Sequence, residues 1–182
     1  MTATAPIQPD AADTPLWHAA NRRLLAKTLG ELSWEEAIHP EQIAEDDYRL
    51  LLPDGVEYRF SAWRNIWQQL VPDPSTLYRL PEITANPEAA QFFIDAQETL
   101  GMTPATLCNL LEELSNTLMA DLRVLKNYQH LQAADMVTLP DDELQCLLDG
   151  HPKVTVSKGR MGWGMSDYQN YATEYRPLYS YH

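Results

Sequence analysis

The sequence predicts an α+β domain, mainly helical with a small antiparallel sheet. Three observations carry that expectation. Leucines recur at three- and four-residue intervals between Leu107 and Leu125, which is the spacing of one helical face. Two β-prone runs, YRLLL and VEYRF, flank the turn-forming PDG, the pattern of a hairpin. No internal repeat or low-complexity stretch divides the chain, so these elements are expected to share one core, from about residue 14 to 176.

The first 13 residues, MTATAPIQPDAAD, have neither the basic start nor the apolar stretch of a signal peptide and read as a disordered leader. Thr14 and Pro15 then supply a cap and a first-turn proline. Leu16, Ala19, Ala20 and Leu24 follow at helical spacing, predicting a helix to about Gly30. Ser33 with Glu36 fits a reciprocal capping pair, predicting a second short helix that ends near His39 and Pro40. Strands are predicted at 47–52 and 56–61. In WRNIWQQL, Trp63, Ile66, Trp67 and Leu70 match a helical face, which favours a helix over a continued strand. The PDP at 72–74 ends it, and TLYRL reads as a third short strand.

Helical spacing returns after Asn86 and Pro87, with Phe92, Phe93, Ala96 and Leu100 on one face and Gly101 placed to end the helix. Thr103 and Pro104 start the leucine-striped helix, and another is expected from about Leu139 to Leu148. The heptad is not sustained, so the stripes read as core faces rather than a coiled coil. Residues 177–182 read as a truncated tail.

Composition limits the function classes. With 26 acidic against 13 basic residues, the formal charge of -13 repels nucleic acid and anionic membrane. No apolar run approaches the roughly 18 residues of a membrane span, and the expected compartment is the cytoplasm. Cys108 and Cys146 belong to no metal-ligand spacing and read as buried free thiols. The histidines at 18, 39, 130 and 182 are scattered, with no metal or triad spacing.

Against this acidity, GHPKVTVSKGRMGWG at 150–164 stands out by carrying Lys153, Lys158 and Arg160 among glycines. Glycines let a backbone approach a ligand closely, while lysine is a mobile point charge and arginine a bidentate fork. Together they suit an anion such as a phosphate or carboxylate, although neither a Walker loop nor a GxGxxG turn is present. A surface turn with solvated charges is the alternative that composition alone leaves open.

The order Gly150-His151-Pro152, then Lys158, Arg160, Gly162 and Trp163, resembles the first signature of the IucA/IucC family of siderophore synthetases, GHPxHPxxKxRxGF, without a gap. Asp167, Tyr171, Ala172, Glu174 and Tyr175 resemble the family's DxxxYAPEF, and ELSNTLMADL resembles its helix before the signature. This sequence departs at Val154 and Thr155, which replace the second His-Pro, at Thr173, which replaces the proline, and at Trp163, which replaces a phenylalanine.

The resemblance implies an N-terminal, thumb-like portion of an enzyme that adenylates a citrate-type carboxylate with ATP and Mg2+. An amine or alcohol then attacks the acyl adenylate. It implies Lys158, Arg160 and His151 as catalytic residues and Ser157, Lys158, Arg160 and Gly162 as nucleotide contacts, with no protein metal site. His151 either bonds the nucleotide or carboxylate or fixes the loop, and Asp167 either assists Mg2+ or the amine or, with Ser166, caps the helix that follows. The family's two later signatures do not occur in these 182 residues. The implied partners are therefore the remainder of the synthetase and, as in relatives, a second copy. The alternative is a non-catalytic helical module that binds an anion or a protein through the same loop and exposes no apolar face.

Overall fold

The computed structural model describes residues 14–81, 86–128, 130–145, 147, 155–160, 162–163 and 165–172. Among the described residues six α-helices and five strands follow in the order α1 (Thr14–Trp34), β1 (Glu41–Gln42), β2 (Asp47–Leu51), β3 (Glu57–Arg64), β4 (Leu70–Pro72), β5 (Tyr78–Leu80), α2 (Ala89–Asp95), α3 (Pro104–Tyr128), α4 (Ala133–Met136), α5 (Asp141–Gln145) and α6 (Met165–Tyr171). This is the expected mainly helical α+β fold. No helix among the described residues is long and apolar enough to cross a membrane.

The sheet is antiparallel and organised around β3. One edge of β3 pairs with β2, from Asp47 opposite Ser61 to Leu51 opposite Glu57. Its other edge is shared, with β5 beside residues 57–59 and β4 beside residues 62–64. Alternation places Tyr58, Phe60 and Ala62 of β3 in the core with Tyr48 and Leu50 of β2. Tyr48 stacks on the directly opposed Phe60 at 6.1 Å between centroids, and Tyr58 meets Phe92 of α2 edge to face at 5.3 Å. The predicted hairpin is present, closed by Pro53–Gly55 with Asp54 and Gly55 both at positive φ.

Three helices cover the core. Buried Asn21 of α1 donates to the Trp17 carbonyl and accepts from the backbone N–H of Ala89, so α1 caps the start of α2. Thr103 Oγ1 accepts from the N–H of Thr106 and begins α3, as its sequence position predicts. Leu107, Leu114, Leu118 and Leu122 bury the stripe of α3, with Leu110, Leu111 and Leu125 at its margins.

Several boundaries differ from the sequence reading. Helix α1 runs through Gly30 to Trp34, because Gly30 is a point of close approach to β4 and not a stop. Ser33 donates to the Leu29 carbonyl inside that helix, and Glu36 turns the chain at positive φ, so no second helix forms. Residues 63–70 form no helix: β3 continues to Arg64, turns and returns as β4. Helix α2 stops at Asp95, with turns carrying the chain to Gly101. The expected helix at 139–148 is the shorter α5, preceded by α4; residues 146 and 148–150 lie outside the described residues. Cys108 is exposed on α3 and not buried, while Cys146, the leader and the tail lie outside the described residues.

Gly30 gives a direct test of this packing. A Cβ there would sit 2.9 Å from the Leu70 carbonyl oxygen and 3.4 Å from Pro72 Cδ. Gly30→Ala is therefore expected to destabilise the fold by about 1–2 kcal/mol in urea titration, although alanine is the better helix former by about 1 kcal/mol.

Candidate functional site

The loop at 155–160 lies against α3, and the helix supplies the contacts that shape it. Glu113, Asn116, Thr117 and Asp121 share one helical face by their spacing. Asn116 donates from Nδ2 to the Gly159 carbonyl at 2.8 Å. Gly159 packs so tightly that a Cβ would lie 3.0 Å from Glu113 Cβ, and its own N–H closes a turn on the Val156 carbonyl at 3.0 Å. The glycine therefore serves backbone approach to a helix and not, as its sequence context suggests, to a ligand.

Lys158 is only 5% exposed, and its Nζ lies 2.8 Å from Asp121 Oδ1. The ammonium faces α3, and the paired carboxylate stays 28% exposed. Charge pairing under partial desolvation pins the loop to the helix. Arg160 meets an aromatic cluster instead. With φ of 30°, it carries its guanidinium to 5.2 Å from the Trp163 ring centroid and 5.7 Å from that of Tyr168. Trp163 in turn meets Tyr168 at 5.5 Å and Tyr171 at 6.4 Å, both edge to face. Because Tyr168 and Tyr171 are three residues apart on α6, this helix provides one face for the whole cluster.

Ser157 and Thr155 line a cleft of about 470 Å³ between α1, β4 and α3. Its walls also carry Arg23, Lys27, Trp63 and Asp121. That volume is within the range of small-molecule sites, roughly 300–1,000 Å³, and its walls mix apolar side chains with charged and polar ones. Gly162 is exposed at φ of 79°, which allows the sharp return from Arg160 to Trp163.

The sequence-predicted residues are thus only partly assembled. Ser157 opens onto the cleft, Lys158 is bonded to α3, and Arg160 is stacked on the aromatic cluster. His151 lies outside the described residues, as do Glu174 and Tyr175. Asp167 sits in the first turn of α6, which begins at Met165, so Ser166 and Asp167 are inside the helix and not before it. Among the described residues no group of three or more His, Cys, Asp or Glu is placed to hold a metal ion. Sequence order alone does not mark Asn116 and Asp121 as loop partners, although both belong to the ELSNTLMADL segment that carries the resemblance upstream.

No protein-family model matches the chain. It is 41% identical over 167 residues to an aerobactin synthase of Escherichia coli, covering 91% of this chain and 28% of that protein. It is 32% identical over 173 residues to the rhizobactin siderophore biosynthesis protein RhbF of Rhizobium meliloti, covering 94% of this chain and 28% of the relative. The solved aerobactin synthetase IucC of Klebsiella pneumoniae superposes with a TM-score of 0.84 at 39% identity, over 91% of this chain and 30% of that one. The petrobactin biosynthesis protein AsbB of Bacillus anthracis shares the fold, with a TM-score of 0.70 at 21% identity over 92% of this chain and 28% of that one.

Fold and sequence therefore place the chain in the IucA/IucC family of siderophore synthetases. Within that family it is similar to aerobactin synthases, of which it spans 27–28% of the length.

Proposed function

We propose that the chain is the part of an ATP-dependent siderophore synthetase that helps to adenylate a citrate-type carboxylate for condensation with an amine or alcohol. In the first step a carboxylate oxygen attacks the α-phosphorus and pyrophosphate leaves. In the second the amine or alcohol attacks the acyl carbon, loses its proton, and AMP leaves. Both steps gather negative charge on phosphate oxygens, which fixed cations and N–H donors stabilise.

The observation that carries the reading is the Gly150–Trp163 stretch, which keeps the spacing of the family signature and whose described portion folds onto α3 beside a cleft of ligand size. Arg160 would meet phosphate with its fork, the Ser157 hydroxyl would donate from the cleft wall, and the turn at Gly162 would admit the ligand to the backbone. His151 and Lys158 complete the proposed set. Mg2+ would arrive on the nucleotide, since that ion is commonly held by one or two carboxylates together with phosphates. Large apolar side chains exposed at Trp63, Ile66 and Trp67 favour a portion of a larger enzyme over a self-contained binding module.

The test is a full-length chimera in which this chain replaces the part of E. coli aerobactin synthase that it matches. Citrate-dependent ATP–pyrophosphate exchange is expected from the chimera and not from the 182-residue chain alone. Arg160→Ala in the chimera should reduce exchange about a hundredfold, the lower end of what removing one charge-stabilising group costs. A folded chimera without citrate-dependent exchange would overturn the reading.

A further inference from the structure

We infer that the β3–β4 hairpin is a docking surface for the part of the synthetase polypeptide that lies outside this portion. The inference rests on the reading of the chain as part of a longer synthetase and adds the place where the two parts meet. Trp63, Ile66 and Trp67 are 56%, 83% and 69% exposed, three large apolar side chains within five residues. Scattered exposed hydrophobics are ordinary; three large ones grouped at the end of β3 and on the turn that follows it are not.

The turn is built to hold them outward. Asn65 Oδ1 accepts from the N–H groups of Trp67 and Gln69, both at 3.0 Å. The backbone of Asn65 exchanges hydrogen bonds with Gln68 and Gln69, at 2.9 and 3.0 Å. Arg64 Nη1 donates to the Gln68 carbonyl at 2.8 Å, and Gln68 adopts φ of 64°. Gln69 then donates to Glu31 at 2.9 Å and fastens the hairpin to α1. Fixing the backbone beforehand lowers the ordering cost of binding.

Area argues for the occupant. Even fully buried, these three side chains supply only part of the roughly 800 Å² per partner that a stable two-chain interface requires, since a large aromatic buries about 150–250 Å². A small apolar patch suffices when its partner is tethered in the same polypeptide, because the effective concentration is then high. The relatives supply that polypeptide: the chain corresponds to 28% of E. coli aerobactin synthase and 30% of the solved IucC chain. Position agrees, since Trp63 also lines the cleft that Ser157 faces, so docking on the hairpin would close the cleft beside the signature loop.

The test places a thiol at the tip with Ile66→Cys in a Cys108→Ser background and follows maleimide labelling by peptide mapping. In the isolated chain residue 66 is expected to label rapidly and at a rate independent of protein concentration. In the full-length chimera the rate should fall at least tenfold. Equal rates in the two proteins overturn the inference, and protection that grows with concentration in the isolated chain overturns it in favour of a second copy. A chimera that exchanges pyrophosphate yet labels freely defeats the docking surface alone; one that is protected yet inactive leaves docking standing and defeats the catalytic reading.

Discussion

Asp95→Ala is expected to lower stability by about 3–4 kcal/mol, enough to reduce the melting temperature by roughly 10 °C in a chain of this size. The carboxylate is 7% exposed and accepts from Tyr58 at 2.7 Å, from Arg79 Nε and Nη2 at 2.7 and 3.1 Å, and from Gln91 at 2.8 Å. It joins β3, β5 and α2 through polar groups that have few alternatives. Tyr58 is fully buried and Arg79 is 18% exposed, so alanine would strand a phenol and a guanidinium together. Burial raises the Tyr58 phenol, with its hydrogen bond to Asp95 adding to the shift, and the bond to Asp95 is the chief cause that raises Arg79. Burial also pushes the Asp95 carboxyl upward, but the hydrogen bonds from Arg79, Tyr58 and Gln91 outweigh it and hold the group below its usual range.

The pH dependence follows with a definite sign. A carboxyl whose folded pKa lies below its unfolded one contributes its full stabilisation above the unfolded value, near 3.9. That contribution is lost as pH falls through the lowered folded value. Urea midpoints of the wild type should therefore drop on acidification below about pH 4, and part of that drop should be missing in Asp95→Ala. An identical acid limb in both proteins would remove Asp95 as its source.

The elements legible in the sequence are those whose signals are local. The alternation of Tyr48 with Leu50 and of Tyr58 with Phe60 locates β2 and β3, and Thr103 with Pro104 locates the start of α3. The errors arise where distant residues decide. Trp63, Ile66, Trp67 and Leu70 have helical spacing, but Asn65 closes a turn between them and Leu70 pairs back with Arg64. Gly30 resembles a helix stop until Leu70, forty residues later, is seen to require the absence of a side chain. In the site, the motif gives the order of Lys158 and Arg160 and suggests a shared anion. It does not give Asp121, 37 residues upstream, toward which the lysine turns.

That ion pair yields the second large effect and a way to separate two roles for Lys158. Asp121→Ala leaves a nearly buried ammonium without its carboxylate and should cost about 3 kcal/mol. Lys158→Met keeps the aliphatic stem and leaves a carboxylate that water already reaches, so it should cost only about 1 kcal/mol. Thermal denaturation of both variants checks this asymmetry, and equal losses would mean that the pair contributes through something other than desolvated charge. Activity in the chimera then divides the roles differently. If Lys158 acts only by pinning the loop to α3, exchange should fall with stability and Asp121→Ala should be the more damaged enzyme. If the ammonium reaches phosphate in the assembled site, Lys158→Met should be the more damaged enzyme although it is the more stable protein, because Asp121→Ala still carries the cation and no longer holds it away. The order of the two variants in exchange, read against their order in stability, decides whether Lys158 belongs to the nucleotide or to the helix.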